Sequence, residues 1–407
     1  IREEIATGKT VKSSIKIGFQ KALSAIVDGN VTTLIAAAVL GFMGTGTIRG
    51  FAQTLALGIV LSMFTALTVT RLILNALYAV GFRDEKFYGR AKARKPIGFL
   101  RKKAVFFTLS AAMILCGFVF MGINQKNTGE ILNYSLEFMG GTSTNVTFSE
   151  DMSIEELDER VVPIFEEISK DPNVQTQKVQ GSNEVIFKTR VLSVEQREEL
   201  NGRLAEEFGV DESLITAETI SSTISSEMRT GAIVAVVVAA LCMLVYIWFR
   251  FKDIRFGASS VAALLHDVLV VLAFYAVTRI SVGGTFIACM LTIVGYSINA
   301  TIVIFDRIRE NLRQSGTRES LEEVVNESVT QTLSRSIFTS LTTFITVAAL
   351  YALGVSSIRE FALPLMAGIV CGAYSSVCLA GAMWYILRTK VGKKDASQGK
   401  KAVKAAK

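Results

Sequence analysis

The chain has 407 residues, half of them hydrophobic and only four of them proline, with a positive net charge of +7. Apolar runs of about twenty residues exclude a soluble globular protein and place it among helical membrane proteins. The five cysteines (Cys116, Cys242, Cys289, Cys371, Cys378) all sit inside apolar runs, so neither a disulfide framework nor a sequence spacing typical of metal ligands is available.

The charge is unevenly placed. Residues 125–228 hold 8 Lys and Arg against 21 Asp and Glu, a balance of −13, which leaves +20 for the remainder. Basic residues crowd the segment from Arg83 to Lys103 and the tail after Arg388. Beside membrane spans, such segments follow the positive-inside rule and do not call for a nucleic-acid partner.

In chain order, residues 8–29 read as an amphipathic cytoplasmic helix, with Lys9, Lys12, Lys16 and Lys21 on one side and Ile15, Phe19, Leu23 and Ile26 on the other. A short span, Val31 to Met43, leads through Gly-Thr-Gly-Thr to a second, Phe51 to Leu77, so that residues 1–80 form one block. The basic linker 81–103 is then cytoplasmic, and a third span, within 104–124, crosses outward.

Residues 125–229 change pattern to that of a small extracytoplasmic α/β domain. Thr144 to Phe148 alternates as a strand, and Ser153 to Ser169 reads as a capped amphipathic helix with Glu156 three residues after Ser153. Val174 to Val179 and Val185 to Thr189 flank Gln-Gly-Ser-Asn, a hairpin signal. Ser193 to Phe208 repeats the capped helix and Leu214 to Ile220 closes with a strand, giving the ferredoxin-like order βαββαβ.

Residues 230–389 hold five more spans: Gly231–Phe249, Gly257–Val277, Gly284–Phe305, Ser336–Leu353 and Phe361–Leu387, followed by a basic cytoplasmic tail, 390–407. Eight spans in all put the basic connections on one side. The fold class is therefore an α-helical membrane bundle carrying one small α/β domain.

Ionisable groups inside spans are expensive, about 2.5–3.5 kcal/mol each on insertion scales, and mark candidate functional positions. His266, the single histidine, and Asp267 lie near the middle of their span. Either they fix helix packing or they move or sense a proton. Thr292, Tyr296, Asn299 and Asp306 share one helix face, and Arg335, Thr339, Thr342 and Thr346 recur on the face of another, so the two stripes are expected to meet. No phosphate-binding loop occurs and no nucleophile and base can be paired around one histidine, so neither catalysis nor a cofactor is expected.

The sequence also repeats itself at an offset of 310 residues. Ile48-Arg49-Gly50-Phe51-Ala52 falls on Ile358-Arg359-Glu360-Phe361-Ala362, and Gly58-Ile59-Val60 on Gly368-Ile369-Val370. The first copy aligns Ala25, Gly29, Thr32 and Ala36 with Arg335, Thr339, Thr342 and Thr346, and so lacks most of the polar stripe. The chain reads as the tail of one half followed by the whole of a second.

Several stretches resemble a known family. Leu291 to Asn311, LTIVGYSINATIVIFDRIREN, resembles the signature span of SecF, usually Leu-Thr-x-Ile-Gly-Tyr-Ser-x-Asn-Asp-Thr-Ile-Val followed by Phe-Asp-Arg-Ile-Arg-Glu-Asn. LNYSLEFMGGT at 132–142, with Glu137 where Asp is usual, Leu264-Leu265-His266-Asp267-Val268, and TLSRSIFTSLTT at 332–343 resemble further SecF segments, while residues 1–77 resemble the end of SecD. The whole looks like a fused SecD/SecF arrangement, related to the resistance-nodulation-division transporters.

The resemblance implies an accessory of the Sec protein-export translocase in the bacterial cytoplasmic membrane, one that uses a proton or sodium gradient to draw an unfolded preprotein across after the SecA ATPase. The implied partners are the SecYEG channel, SecA, YajC, YidC and membrane lipid. Asp267, His266, Arg335, Asn299, Tyr296 and Thr339 are the ion-coupling candidates, Arg335 matching the family's intramembrane Arg, and no metal or cofactor is expected. Ala300 stands where the family has Asp, and Thr219 to Ser226, TISSTISS, replaces a Val-Gly-Pro-x-Val-Gly run. Two other readings stay open: a scaffold for the channel without ion flux, and a small-substrate transporter of the same superfamily.

Overall fold

A computed structural model describes residues 1–43, 46–89, 95–170, 174–179, 182–251, 253–315, 320–354 and 356–389. Gly44 and Thr45 of the first expected turn, Gln180 and Gly181 of the expected hairpin, and the tail 390–407 lie outside them. The chain divides into two units, one of Ile1–Leu132, Ala235–Ile280 and Thr285–Lys407, the other of Asn133–Val234 and Ser281–Gly284.

In the first unit, the short helix α1 (Arg2–Ala6) precedes α2 (Val11–Met43). The amphipathic segment and the short span expected there are one continuous helix. Asn30 Nδ2 donates to Ile26 O at 2.8 Å and Thr32 Oγ1 to Gly29 O at 2.8 Å, so these two polar side chains bond within the helix and do not interrupt it. Glu4 of α1 is buried between Lys9 (2.5 Å) and Lys21 (2.6 Å), above an apolar cluster of Ile5, Val11 and Ile15. Hydrogen bonds from Lys21 and then Lys9 hold the Glu4 carboxyl down to about 2.

Helix α3 (Gly46–Phe64) passes through a π-helical turn, Thr65–Val69, into α4 (Thr70–Val80). Helix α5 (Lys103–Thr128) packs on α11 (Ile254–Thr278) through small residues: a Cβ on Gly117 would lie 2.2 Å from Ala273 Cβ. Close backbone approach of this kind supplies the dispersion contact that drives helix association in lipid. The unit continues with most of α10 (Ser222–Phe251) and with α12 (Gly284–Ser315), α13 (Leu321–Leu353) and α14 (Ser356–Tyr374).

Helix α14 runs into a second π-helical turn, Ser375–Ala380, which begins 310 residues after the first. The two repeats therefore share a backbone irregularity as well as residues. Among the described residues, eight helices are long and apolar enough to cross a membrane. The protein is a multi-pass membrane protein.

The second unit is α/β. After a short helix, α6 (Leu136–Met139), come β1 (Gly141–Thr147), α7 (Ile154–Arg160), α8 (Val162–Ser169), β2 (Gln175–Lys178), β3 (Glu184–Thr189), α9 (Val194–Phe208) and β4 (Thr216–Ile220). The sheet order is β2-β3-β1-β4 with every neighbouring pair antiparallel, the ferredoxin-like arrangement. The single helix expected at 153–169 is two, α7 and α8, because Pro163 lacks the N–H that an unbroken helix needs and is accommodated in the first turn of α8.

Both expected capping boxes are present, Ser153 with Glu156 and Ser193 with Gln196. The bonds that Ser153 makes hold the Glu156 carboxyl below the usual range. Alternation along β1 and β3 turns Val146, Val185 and Phe187 into a core with Leu157, Phe165, Leu200 and Leu204, where the rings of Phe165 and Phe187 stack at 4.3 Å. Burying each such side chain stabilises the unit by roughly 1.5–3 kcal/mol.

Gly140 and Gly141 have φ of 72° and 119°, and a Cβ on Gly141 would lie 2.1 Å from Thr189 O. Both the backbone angle and the contact with β3 require glycine there. Just before them, Tyr134 bridges Val282, and Glu137 Oε2 accepts from Gly284 N at 2.7 Å. That carboxylate caps the first residue of α12.

Candidate functional site

Asp267 is 1% exposed and accepts four polar contacts drawn from three helices. On its own helix, α11, His266 Nδ1 lies 2.9 Å from Oδ1. From α14, the Cys371 thiol approaches the same oxygen at 3.2 Å. Oδ2 accepts from Ser375 Oγ at 2.7 Å and from Ser297 Oγ of α12. A buried polar group needs such partners, since each one left unsatisfied in lipid costs several kcal/mol.

His266 is 6% exposed, and its Nε2 is buried with no hydrogen-bond partner among the described residues. The Tyr374 ring lies 6.1 Å away, centroid to centroid, and its hydroxyl bonds Phe106 O at 2.7 Å and Ser110 Oγ at 3.2 Å on α5. Ser375 is the first residue of the second π-helical turn. Such a turn adds a residue to the helical repeat and so redirects the side chains that follow, which is why it recurs at functional sites.

The other four expected site residues lie apart from this cluster. Tyr296 donates to Ser340 Oγ at 2.9 Å, so α12 touches α13 at a residue outside the α13 stripe. Asn299 packs on Gly29, where a Cβ would come within 2.1 Å of Asn299 Oδ1. Arg335 and Thr339 are exposed, and Thr339, Thr342 and Thr346 each donate to the carbonyl four residues earlier, Arg335, Phe338 and Thr342. All four residues of the α13 stripe, Arg335, Thr339, Thr342 and Thr346, are exposed, so the stripe is not buried against α12. Its hydroxyls satisfy themselves locally and need no partner helix.

A second ionic cluster also escaped the reading of the sequence. Arg250, near the end of α10, places Nε 2.7 Å from Asp28 Oδ2 on α2, and its guanidinium reaches Asp306 Oδ2 of α12 at 3.4 Å. Tyr246 adds a bond to Asp28 Oδ1 at 2.9 Å. Sequence position alone held one clue to the first cluster: Ser297 adjoins Tyr296 in the most polar span. Nothing marked Cys371 or Ser375, whose counterparts in the first copy, Leu61 and Thr65, are exposed and have no carboxylate bond among the described residues.

Residues 201–390 match the family described as protein export membrane protein SecD/SecF, C-terminal, and residues 1–98 match the MMPL family. The protein translocase subunit SecF of Sebaldella termitidis is 38% identical over 314 residues, covering 75% of this chain and 98% of the relative. The chain belongs to the SecD/SecF family. The SecDF subunit of Bacillus subtilis is 32% identical over 98% of this chain and 55% of its own length. A crystal structure of SecDF, described as a translocon-associated membrane protein, from Thermus thermophilus superposes with a TM-score of 0.81 at 35% identity, covering 96% of this chain and 52% of that one.

This SecD/SecF-family chain thus spans about half the length of the SecDF relatives it matches and almost the whole of the SecF ones. The family's mostly helical bundle with a small antiparallel sheet is the fold described above. Within that fold, Asp267 is a buried carboxylate held by hydrogen bonds, and position 300 is Ala.

Proposed function

We propose that the chain is the ion-coupled half of an accessory subunit of the Sec protein translocase in the bacterial cytoplasmic membrane. It helps to draw a preprotein across after SecA has driven it into the SecYEG channel, with the acidic α/β unit on the extracytoplasmic side. The names of its relatives support the export role. The basic composition of the linker and tail supports the orientation, because Lys- and Arg-rich segments beside membrane spans are retained on the cytoplasmic side.

One observation carries the ion coupling: Asp267 is a carboxylate almost wholly enclosed within the helical unit, held by groups from three helices that must rearrange together if its charge changes. In this reading Asp267 takes up and releases the coupling ion. Ser297 and Ser375 hold Oδ2, and His266 Nε2, the unpartnered atom, is where a proton enters or leaves. Tyr296 and Asn299 on α12, and Arg335 and Thr339 on α13, lie outside the cluster and in this reading tune access to it. A scaffold without ion flux is favoured by one feature, Ala300, which removes the carboxylate usual in the family signature.

The test is preprotein translocation into inverted vesicles that hold the full-length protein, with SecA and ATP constant, with and without a proton gradient. Stimulation that vanishes with the gradient in the natural protein and is absent in Asp267→Asn supports the coupling role. Stimulation by the natural protein that ignores the gradient favours the scaffold, and an Asp267→Asn protein that still responds moves the coupling to another residue.

A further inference from the structure

We infer that His266, Asp267 and Cys371 form a binding site for a soft divalent cation such as zinc. The inference needs only the donor geometry and stands whether or not Asp267 couples an ion gradient. His266 Nδ1, an Asp267 oxygen and Cys371 Sγ all lie within 4.8 Å of one another. Asp267 Oδ1 is 2.9 Å from the imidazole nitrogen and 3.2 Å from the sulfur, and the nitrogen and sulfur are 4.0 Å apart.

A tetrahedral zinc with bonds of about 2.0–2.3 Å separates its donors by roughly 3.3–3.6 Å. The observed triangle departs from that by a few tenths of an ångström on each edge, within reach of small side-chain rotations. All three donors are more than nine-tenths buried, so binding requires no further desolvation of their chain. Asp267 Oδ2 is already held by Ser375 and Ser297, which orients Oδ1 toward the other two donors as an outer shell does in metal sites.

The donor set decides the class of ion. One thiolate, one imidazole and one carboxylate oxygen select zinc or cobalt over magnesium or calcium, which demand oxygen ligands. Binding takes the thiol of Cys371 to the thiolate and releases its proton, and Nδ1 binds through its lone pair, which places the ring hydrogen on Nε2. The fourth position is open to water. The site was invisible in the sequence because Cys371 lies 104 residues from Asp267.

Cobalt is the probe, added to the full-length protein in lipid nanodiscs. The expected result is a thiolate-to-cobalt charge-transfer band that saturates at one equivalent, resists magnesium and is displaced by zinc. Cys371→Ser loses the band and weakens binding at least about tenfold, while Cys242→Ser keeps both. In the natural protein, zinc slows alkylation of Cys371 by a membrane-permeant maleimide but leaves Cys378 unaffected, a readout that does not depend on any variant folding. Absence of the band in the natural protein, its persistence in Cys371→Ser, or equal alkylation rates with and without zinc would overturn the assignment.

Discussion

Ser375 Oγ donates to Asp267 Oδ2 at 2.7 Å from the first residue of a π-helical turn, so the irregular backbone and the buried carboxylate are joined by one hydrogen bond. Ser375→Ala removes a donor that the carboxylate cannot replace from solvent. We expect a loss of about 1.5–3 kcal/mol, the usual range for hydrogen bonds to charged groups, read as a lower thermal unfolding midpoint in detergent. Thr65→Ala, at the repeated position, should change the midpoint little, because among the described residues Thr65 Oγ1 bonds only Leu61 O, on an exposed face.

Gly29 and Gly58 both lie inside long helices yet should respond oppositely to alanine. A Cβ on Gly29 would fall 2.1 Å from Asn299 Oδ1, whereas one on Gly58 meets nothing within 4 Å. Gly58→Ala should stabilise by about 0.5–1 kcal/mol through helix propensity. Gly29→Ala should destabilise by about 1–3 kcal/mol, the usual range for overpacking. Thermal unfolding of the two variants side by side decides the point.

Glu137→Ala should loosen the start of α12. Its Oε2 accepts from Gly284 N, and losing a helix-capping acceptor costs about 0.5–2 kcal/mol. Hydrogen exchange measured by mass spectrometry should rise in the peptide that begins at Ser281, while peptides around Phe187, in the centre of the α/β core, keep their protection.

The α1 contact should be acid-sensitive. Lys21 and Lys9 hold Glu4 down to about 2, below its ordinary value of 4.5, so the folded form binds fewer protons than the unfolded one across that interval. The stabilisation is therefore complete above pH 4.5 and is lost as the pH falls toward 2. Exchange protection of residues 1–10, corrected for intrinsic rates, should drop over that range in the natural protein. It should be low and flat in Glu4→Gln; an unchanged profile in that variant would count against the contact.

Much of the architecture was legible before any coordinates. Long apolar runs, clustered lysines and arginines, and the 310-residue repeat each report a local or periodic property, and the eight long helices and the ferredoxin-like strand order follow from them. Ser153 and Ser193 announced their helices because a capping box is closed within four residues. His266 and Asp267 stood out because a charge in an apolar run is costly wherever the run packs.

Tertiary structure alone settled which polar residues meet. Asp267 takes Ser297, Cys371 and Ser375, while Arg335 and Thr339, equally conspicuous in the sequence, lie exposed. Helical periodicity says that residues share a face but not which face of which neighbour they touch. That choice is made by close approach at small residues, such as Gly117 on Ala273, summed over the packed bundle, and no local pattern encodes it.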